Sequence, residues 1–394
     1  MKILFVSAVF PYPLRSGGQI RIYNLLKRLS CDHEITLVSF IRNDEERKYI
    51  RELNFCKEVH VVMRGRAWQP RYMARAVFGK FPFLLSTYEN ATMHQLLRDV
   101  LVRDTYDLVH LEPFYVWPSI PKTTVPIVVS EHNVEYKVYQ QYVERSIPFL
   151  RPFLWIDVAK LVRWERIVWK YVRMVTAVSY EDAELILQGG AKSVEVVPNG
   201  VDLSQFVYRA KRQKKDGPSL LFVGDFRWFP NVDALNVLLT QVWPKVQKIY
   251  QNATLRIVGR HMSTSIITKI EQAGAEVAQD VEDISAEYRA SDILVAPHGI
   301  AGGTKFKILE AMSSGCAVVT TKQGAAGLDL TAGKQYIEAT TQDEFVQGIQ
   351  RVWKNMTLYK TLTAQARKHV EDNFSWDAIA SRLESVWKEA CAHN

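Results

Sequence analysis

Asp292-Ile293-Leu294-Val295-Ala296-Pro297, then Ala301-Gly302-Gly303-Thr304-Lys305-Phe306-Lys307-Ile308-Leu309-Glu310-Ala311-Met312, then Cys316-Ala317-Val318-Val319-Thr320-Thr321 decide the fold of this chain. They read as a strand, a glycine loop, a helix and a second strand. Adjacent glycines ahead of a helix let bare backbone N–H groups approach a ligand, and the unpaired N–H groups and positive end of the helix dipole favour phosphate there. Lys305 and Lys307 add charge to the same first turn, and Glu310 follows Lys307 on nearly the same face. A carboxylate at that place suits neutral hydroxyls such as those of a ribose. The set implies a nucleotide diphosphate held without a metal. An exposed Lys-Glu pair behind an ordinary glycine turn is the bland alternative.

Outward from this stretch the same alternation recurs. Lys2 to Val9 reads as a buried parallel strand, followed by a Pro-containing loop, Gly17-Gly18, and a helix from about Gln19 to Leu29 with Ile22, Leu25, Leu26 and Leu29 on one face. Apolar runs return at 34–40, 59–63, 107–111, 126–130 and 174–179, and a second series begins at 220–224 and continues through 253–259, 276–278, 292–297, 316–321 and 335–338. Strands alternating with helices predict an α/β chain of two Rossmann-like domains. Their facing strand ends are expected to form a central cleft. The expected boundaries are 1–195 for the first domain, 196–217 for a charge-dense linker and 218–375 for the second domain. A final amphipathic helix, about 376–394, carries Ile379, Leu383, Val386 and Trp387.

Composition narrows the class. The 394 residues are enough for two domains of roughly 100–200 residues each. Apolar content of 47% and charged content of 23% exclude a wholly disordered chain. A net charge of +8 spread over this length is too dilute to demand nucleic acid, yet suits an anionic membrane surface or phosphate-bearing substrates. Cys31, Cys56, Cys316 and Cys391 show no paired spacing of the zinc or redox kind, so reduced thiols are expected. The apolar run at residues 3–10 is read as a first strand because Pro11 and Pro13 interrupt it, and no apolar run reaches the roughly 18–20 residues of a membrane span.

Leu309-Glu310-Ala311-Met312 with Gly315 and Val318-Val319 resembles the donor-binding stretch of retaining glycosyltransferases of family 4. Pro198-Asn199-Gly200-Val201-Asp202 and Ala177-Val178-Ser179 resemble two further signatures of that family. Where most members carry a second Glu, this chain has Gly302, which resembles a subgroup reading Gly-Thr-(Arg/Lys)-x-Lys-x-Leu-Glu-Ala-Met. The resemblance implies the GT-B architecture, a terminal helix returning to the first domain, and transfer of a hexosyl group from a nucleoside diphosphate sugar to a glycan or lipid-linked acceptor. Polysaccharide or cell-envelope glycan synthesis would be its setting. No cofactor or metal is expected beyond the donor co-substrate. A non-catalytic sugar-nucleotide binder, motivated by Gly302, and a GT-B epimerase or phosphorylase stay open.

The resemblance also distributes roles. Gly17 and Gly18 face the donor diphosphate and the acceptor; Gly302, Gly303, Thr304, Lys305 and Lys307 bind sugar and diphosphate; and Glu310 holds the ribose. Arg227 stands in for an arginine that many relatives place just after the glycine of the second domain's first strand. His132, at the end of the strand 126–130, is expected to contact a sugar hydroxyl or orient the acceptor, with Glu131 and Glu135 as helpers. Without the resemblance, His132 reads equally well as a structural histidine, Gly17-Gly18 as a tight turn and Arg227 as a surface residue.

Residues 64–85 mix Arg64, Arg66, Arg71, Arg75 and Lys80 with Trp68, Tyr72, Met73, Val77, Phe78, Phe81 and Phe83. That mixture suits peripheral contact with an anionic membrane, and Pro70, Gly79 and Pro82 break the segment into pieces unsuited to a core. A second such mixture, 149–174, is read as a core-packed helix with a solvated basic face. The expected location is cytoplasmic, peripheral on the inner membrane face.

Overall fold

The computed structural model describes residues 1–64, 68–209, 216–297 and 306–392. It divides into two compact units, Met1–Pro198 with Ile379–Asn394, and Asn199–Ala378. Each is built on one parallel sheet with helices on its faces.

The first sheet contains β1 (Lys2–Ser7), β2 (Glu34–Ile41), β3 (Glu58–Met63), β4 (Leu108–Glu112), β5 (Ile127–Glu131), β6 (Met174–Ala177) and β7 (Val194–Val196), ordered β3-β2-β1-β4-β5-β6-β7. The second contains β8 (Ser219–Asp225), β9 (Thr254–Arg260), β10 (Glu276–Gln279), β11 (Ile293–Ala296), β12 (Ala317–Thr320) and β13 (Ile337–Glu338), ordered β10-β9-β8-β11-β12-β13. In both, the order reverses beside the first strand of the unit, between β1 and β4 and between β8 and β11. Loops leaving the carboxyl ends of those strands diverge there, and α/β sheets bind ligands at such points. The α/β, two-sheet expectation is the architecture the chain forms.

The strands are nearly continuous apolar runs because both faces are covered. On one face of the first sheet, Leu4, Val6, Val109, Leu111, Ile127, Val129, Val175 and Ala177 join a core that includes Val168 and Trp169 of the helix Arg151–Tyr171. Side-chain alternation sends Phe5, His110, Glu112, Ser130 and Thr176 to the other face. There Phe5 stacks on His110 at 4.5 Å between ring centroids, and the terminal helix Trp376–Ala392 brings Trp387 against the same ring.

Local signals explain the helix starts. The first helix begins at Gly17, two residues earlier than the apolar pattern indicates, because Ser16 caps it by accepting from the Gln19 N–H. Pro70 opens the helix Pro70–Phe78 at its first position, where a missing N–H costs nothing. This segment differs from the sequence expectation: Tyr72, Phe81 and Leu85 are buried, so it does contribute to a core, while Trp68, Met73, Val77 and Phe78 stay exposed. The helix Arg151–Tyr171 differs in the opposite sense. Its later turns are core-packed as expected, but its first turns expose Phe153, Trp155 and Ile156.

Gly200 has a packing role. A Cβ there would lie 2.7 Å from the ring of the fully buried Trp376 and 3.1 Å from the Phe374 carbonyl oxygen. The backbone runs tight against that pair, with the Val201 N–H donating to the same carbonyl. Gly200→Ala is therefore expected to destabilise the second unit by about 1–3 kcal/mol through overpacking, read as a lowered denaturant midpoint.

Candidate active site

In the first unit the carboxyl ends of β1, β4 and β5 carry the polar residues. Register pairs Ser7 with Glu112, which ends β4, and Glu131 ends β5 beside Ala177. Glu112 is fully buried and its two oxygens accept three hydrogen bonds: Arg21 Nε and His132 Nε2 each lie 2.7 Å from Oε1, and His110 Nε2 lies 2.7 Å from Oε2. Arg21, equally buried, also donates through Nη1 to the Pro198 carbonyl at 2.8 Å. Burial works to raise the Glu112 carboxyl, but the Arg21 charge and the two imidazoles hold it well below the usual carboxylate range. Burial pushes the His110 imidazole the other way, below its ordinary value.

His132 is the one member of this group that reaches the surface, with 21% of its side chain exposed. Its ring faces the first turn of the Gly17–Leu29 helix, for a Cβ on Gly18 would sit 3.5 Å from Cε1 and 3.7 Å from Nδ1. The structure thus brings His132 and Gly18 together at the point where β1 and β4 part. Glu112 and Arg21 were not singled out in the sequence. Their only local signal is a polar residue closing an apolar strand and an arginine within an apolar helix face.

Glu131 and Glu135 do not share this setting, which corrects the expectation that they assist at a sugar. Glu131 precedes His132 by one residue, and pleating turns it to the opposite face of the sheet, where Trp169 Nε1 donates to its Oε1 at 2.9 Å. Its Oε2 has no hydrogen-bond partner among the described residues. Glu135 is buried and accepts from the Tyr115 hydroxyl. Glu165, fully buried, accepts from the Glu135 and Tyr136 backbone N–H groups at 2.8 and 3.0 Å and so closes the first turn of the helix Glu135–Arg145. Desolvation raises all three carboxyls; Glu165 and Glu135 raise Glu131 further, and Glu135 raises Glu165 further.

In the second unit, Gly302, Gly303, Thr304 and Lys305 lie outside the described residues, as do Arg66 and the linker residues 210–215. The helix they lead into, Phe306–Ser314, buries Ile308, Leu309, Ala311 and Met312 against the sheet and turns Lys307 and Glu310 outward. Glu310 accepts from the Tyr288 hydroxyl at 2.7 Å. Burial raises its carboxyl, opposed by that hydrogen bond and by the Lys307 charge. Lys307 Nζ donates to Asn231 Oδ1 at 2.9 Å and lies 5.2 Å above the Phe222 ring. Asn231 is in turn tied to the end of β8 by donating to the Asp225 carbonyl at 2.8 Å. Arg227, expected from the sequence to meet the diphosphate, forms a two-point guanidinium pair with Asp225, at 3.1 and 2.6 Å, and is 60% exposed.

Among the described residues no group of three or more His, Cys, Asp or Glu is arranged to hold a metal ion, and no helix is long and apolar enough to cross a membrane.

Two parallel Rossmann-like sheets, each with polar residues gathered at the carboxyl ends of its strands, are the architecture of GT-B glycosyltransferases. Comparison with known proteins agrees. Residues 15–205 match the model described as Glycosyltransferase Family 4, and residues 217–355 match Glycosyl transferases group 1. The chain belongs to this glycosyltransferase family, whose members use nucleotide sugars. It is 24% identical to an uncharacterized 44.6 kDa protein in the cps region of Klebsiella pneumoniae, over 98% of this chain and 99% of that one. It is 23% identical to a D-inositol 3-phosphate glycosyltransferase of Salinispora arenicola, over 73% of this chain and 69% of the relative. In fold it is similar to the sucrose-phosphate synthase of Thermosynechococcus elongatus, with TM-score 0.77, 15% identity and 100% of both chains covered. It is also similar to Anabaena HepE solved with UDP-glucose, with TM-score 0.65, 15% identity, and 99% and 100% covered.

The buried acids make a pH test. Because the Glu131 carboxyl is raised in the fold, the unfolded chain ionises first, above about pH 4.3, and the native state is penalised progressively as pH rises from there. Glu131→Gln keeps the acceptor for Trp169 and removes the ionisation. Its melting temperature is expected to exceed that of the wild type at neutral pH, with the difference shrinking toward about pH 4.

Proposed function

We propose that this chain is a retaining, metal-independent hexosyltransferase that moves a sugar from a nucleoside diphosphate hexose to a glycan or lipid-linked glycan acceptor. The observation that carries the reading is Glu310, supported by Tyr288 and flanked by Lys307, on the helix that follows the glycine loop. In this reading Glu310 accepts hydrogen bonds from the ribose hydroxyls. The helix start, Lys305 and Lys307 meet the diphosphate as its charge develops on leaving, which is the stabilisation such a departure requires. Gly302, Gly303, Thr304 and Lys305 enter through the sequence resemblance alone. The acceptor hydroxyl attacks the anomeric carbon on the face from which the diphosphate departs. Its proton passes to a phosphate oxygen, so the C–O bond formed replaces the one broken and no enzymic nucleophile is needed. His132 contacts a sugar hydroxyl from the Gly18 side. UDP-hexoses are the first donors to test, since Anabaena HepE binds UDP-glucose. The cps-region relative supports an acceptor in surface polysaccharide synthesis.

The same proposal includes peripheral contact with an anionic membrane on its cytoplasmic side. It is supported by the exposure of Trp68, Val77 and Phe78 at 78%, 68% and 90%, beside Arg71, Arg75 and Lys80. Phe153 and Ile156 extend this apolar ground, since Lys160, one turn on, donates to the carbonyls of Ala76 and Gly79 at 2.6 and 3.0 Å.

Two outcomes follow. Glu310→Ala is expected to keep the fold while weakening donor binding at least about tenfold, because each hydrogen bond to a charged group is worth about 1.5–3 kcal/mol; an unchanged KM for donor would remove the ribose role. Val77→Ser with Phe78→Ser is expected to reduce co-sedimentation with phosphatidylglycerol vesicles without lowering turnover of a soluble acceptor. Undiminished sedimentation would rule the segment out as a membrane contact.

A further inference from the structure

The hydrogen-bond pattern around Glu112 fixes more than its own charge. The Trp387 indole Nε1–H can only donate, and it lies 3.1 Å from His110 Nδ1. His110 Nδ1 is therefore an acceptor without a proton, and its proton is on Nε2, directed 2.7 Å to Glu112 Oε2. An ionised carboxylate offers no donor. Glu112 Oε1, already accepting from Arg21, must accept from His132 Nε2 as well, which requires a proton on that nitrogen. The other ring nitrogen, Nδ1, lies on the edge beside Gly18, where the lack of a side chain leaves the ring uncovered.

We propose that Glu112 is a positioning residue that locks His132 in the Nε2–H tautomer, so that Nδ1 is presented as a hydrogen-bond acceptor for a hydroxyl of the sugar or of the acceptor. This rests on the reading of His132 as a sugar-side residue. The terminal helix takes part through Trp387, which sets His110, which completes the carboxylate. A histidine so held accepts from a hydroxyl without first rotating or exchanging its proton, and an orienting carboxylate of this kind is worth on the order of 10- to 100-fold in activity.

The test combines a tautomer measurement on the wild type with a kinetic cycle. Imidazole ¹⁵N NMR of the intact protein, with His132→Gln used to assign the resonance, is expected to show His132 protonated on Nε2 and bare on Nδ1 near neutral pH. A proton on Nδ1 alone overturns the proposal, and this arm needs no Glu112 variant to fold. Glu112→Gln is then expected to lower kcat about 10- to 100-fold in the wild-type background. In a His132→Ala background the same change is expected to have little further effect, because residues that act as one unit are not additive. An equal loss in both backgrounds would make Glu112 merely structural and sink the proposal. His132→Ala that turns over as fast as the wild type would instead remove the sugar-side reading on which the proposal stands, and the two failures are told apart by that single variant.

Discussion

A carboxylate with no exposure to water, Glu112, is the constraint around which the first unit is organised. An ionised group at that depth persists only with its charge matched and its oxygens satisfied. Arg21 supplies the charge from the first helix, His110 comes from the same strand, and His132 comes from the loop after the neighbouring strand. Trp387 reaches His110 from the last helix of the chain. Residues separated by more than 250 positions thus meet at the point where the strand order reverses. The surface that results is small: one imidazole edge beside Gly18 in the first turn of the first helix.

The second unit solves a similar problem with less charge at stake. Glu310 sits on a helix whose inner face is packed against the sheet, so its direction is set by the burial of Ile308, Leu309 and Met312 rather than by ion pairs. Tyr288 gives it one hydrogen bond, and Lys307 is held by Asn231 at the end of β8. Lys307 is seated by an amide at the end of β8, whereas Arg227 is matched by the carboxylate of Asp225. That difference separates two basic residues that look alike in the sequence.

Much of the architecture was legible from pattern. Continuous apolar runs alternating with amphipathic segments imply parallel strands buried on both faces, and both sheets follow. The position of His132 was legible because it directly follows a buried strand. Glu131 was misplaced because adjacency in sequence is opposition in a sheet: the pleat carries it to Trp169 while His132 turns toward Glu112. Glu112 itself was invisible for a different reason. Its importance comes from β4 lying beside β1, a fact of strand order that no local window contains. Exposed Phe153 and Ile156 were also missed, since helical periodicity gives a direction for the apolar face but not the point along the helix at which the core ends.

The central claim is that the chain uses an intact sugar nucleotide, and the most direct measurement is thermal stability of the purified protein with UDP-, GDP-, ADP- and dTDP-hexoses, paired with detection of nucleotide released on incubation with acceptor. A ligand that binds the native state raises its apparent melting temperature by mass action. The account predicts that one nucleotide series stabilises the protein without added divalent metal, and that the same series yields free nucleoside diphosphate. Stabilisation by none of them, with no nucleotide released, would contradict it.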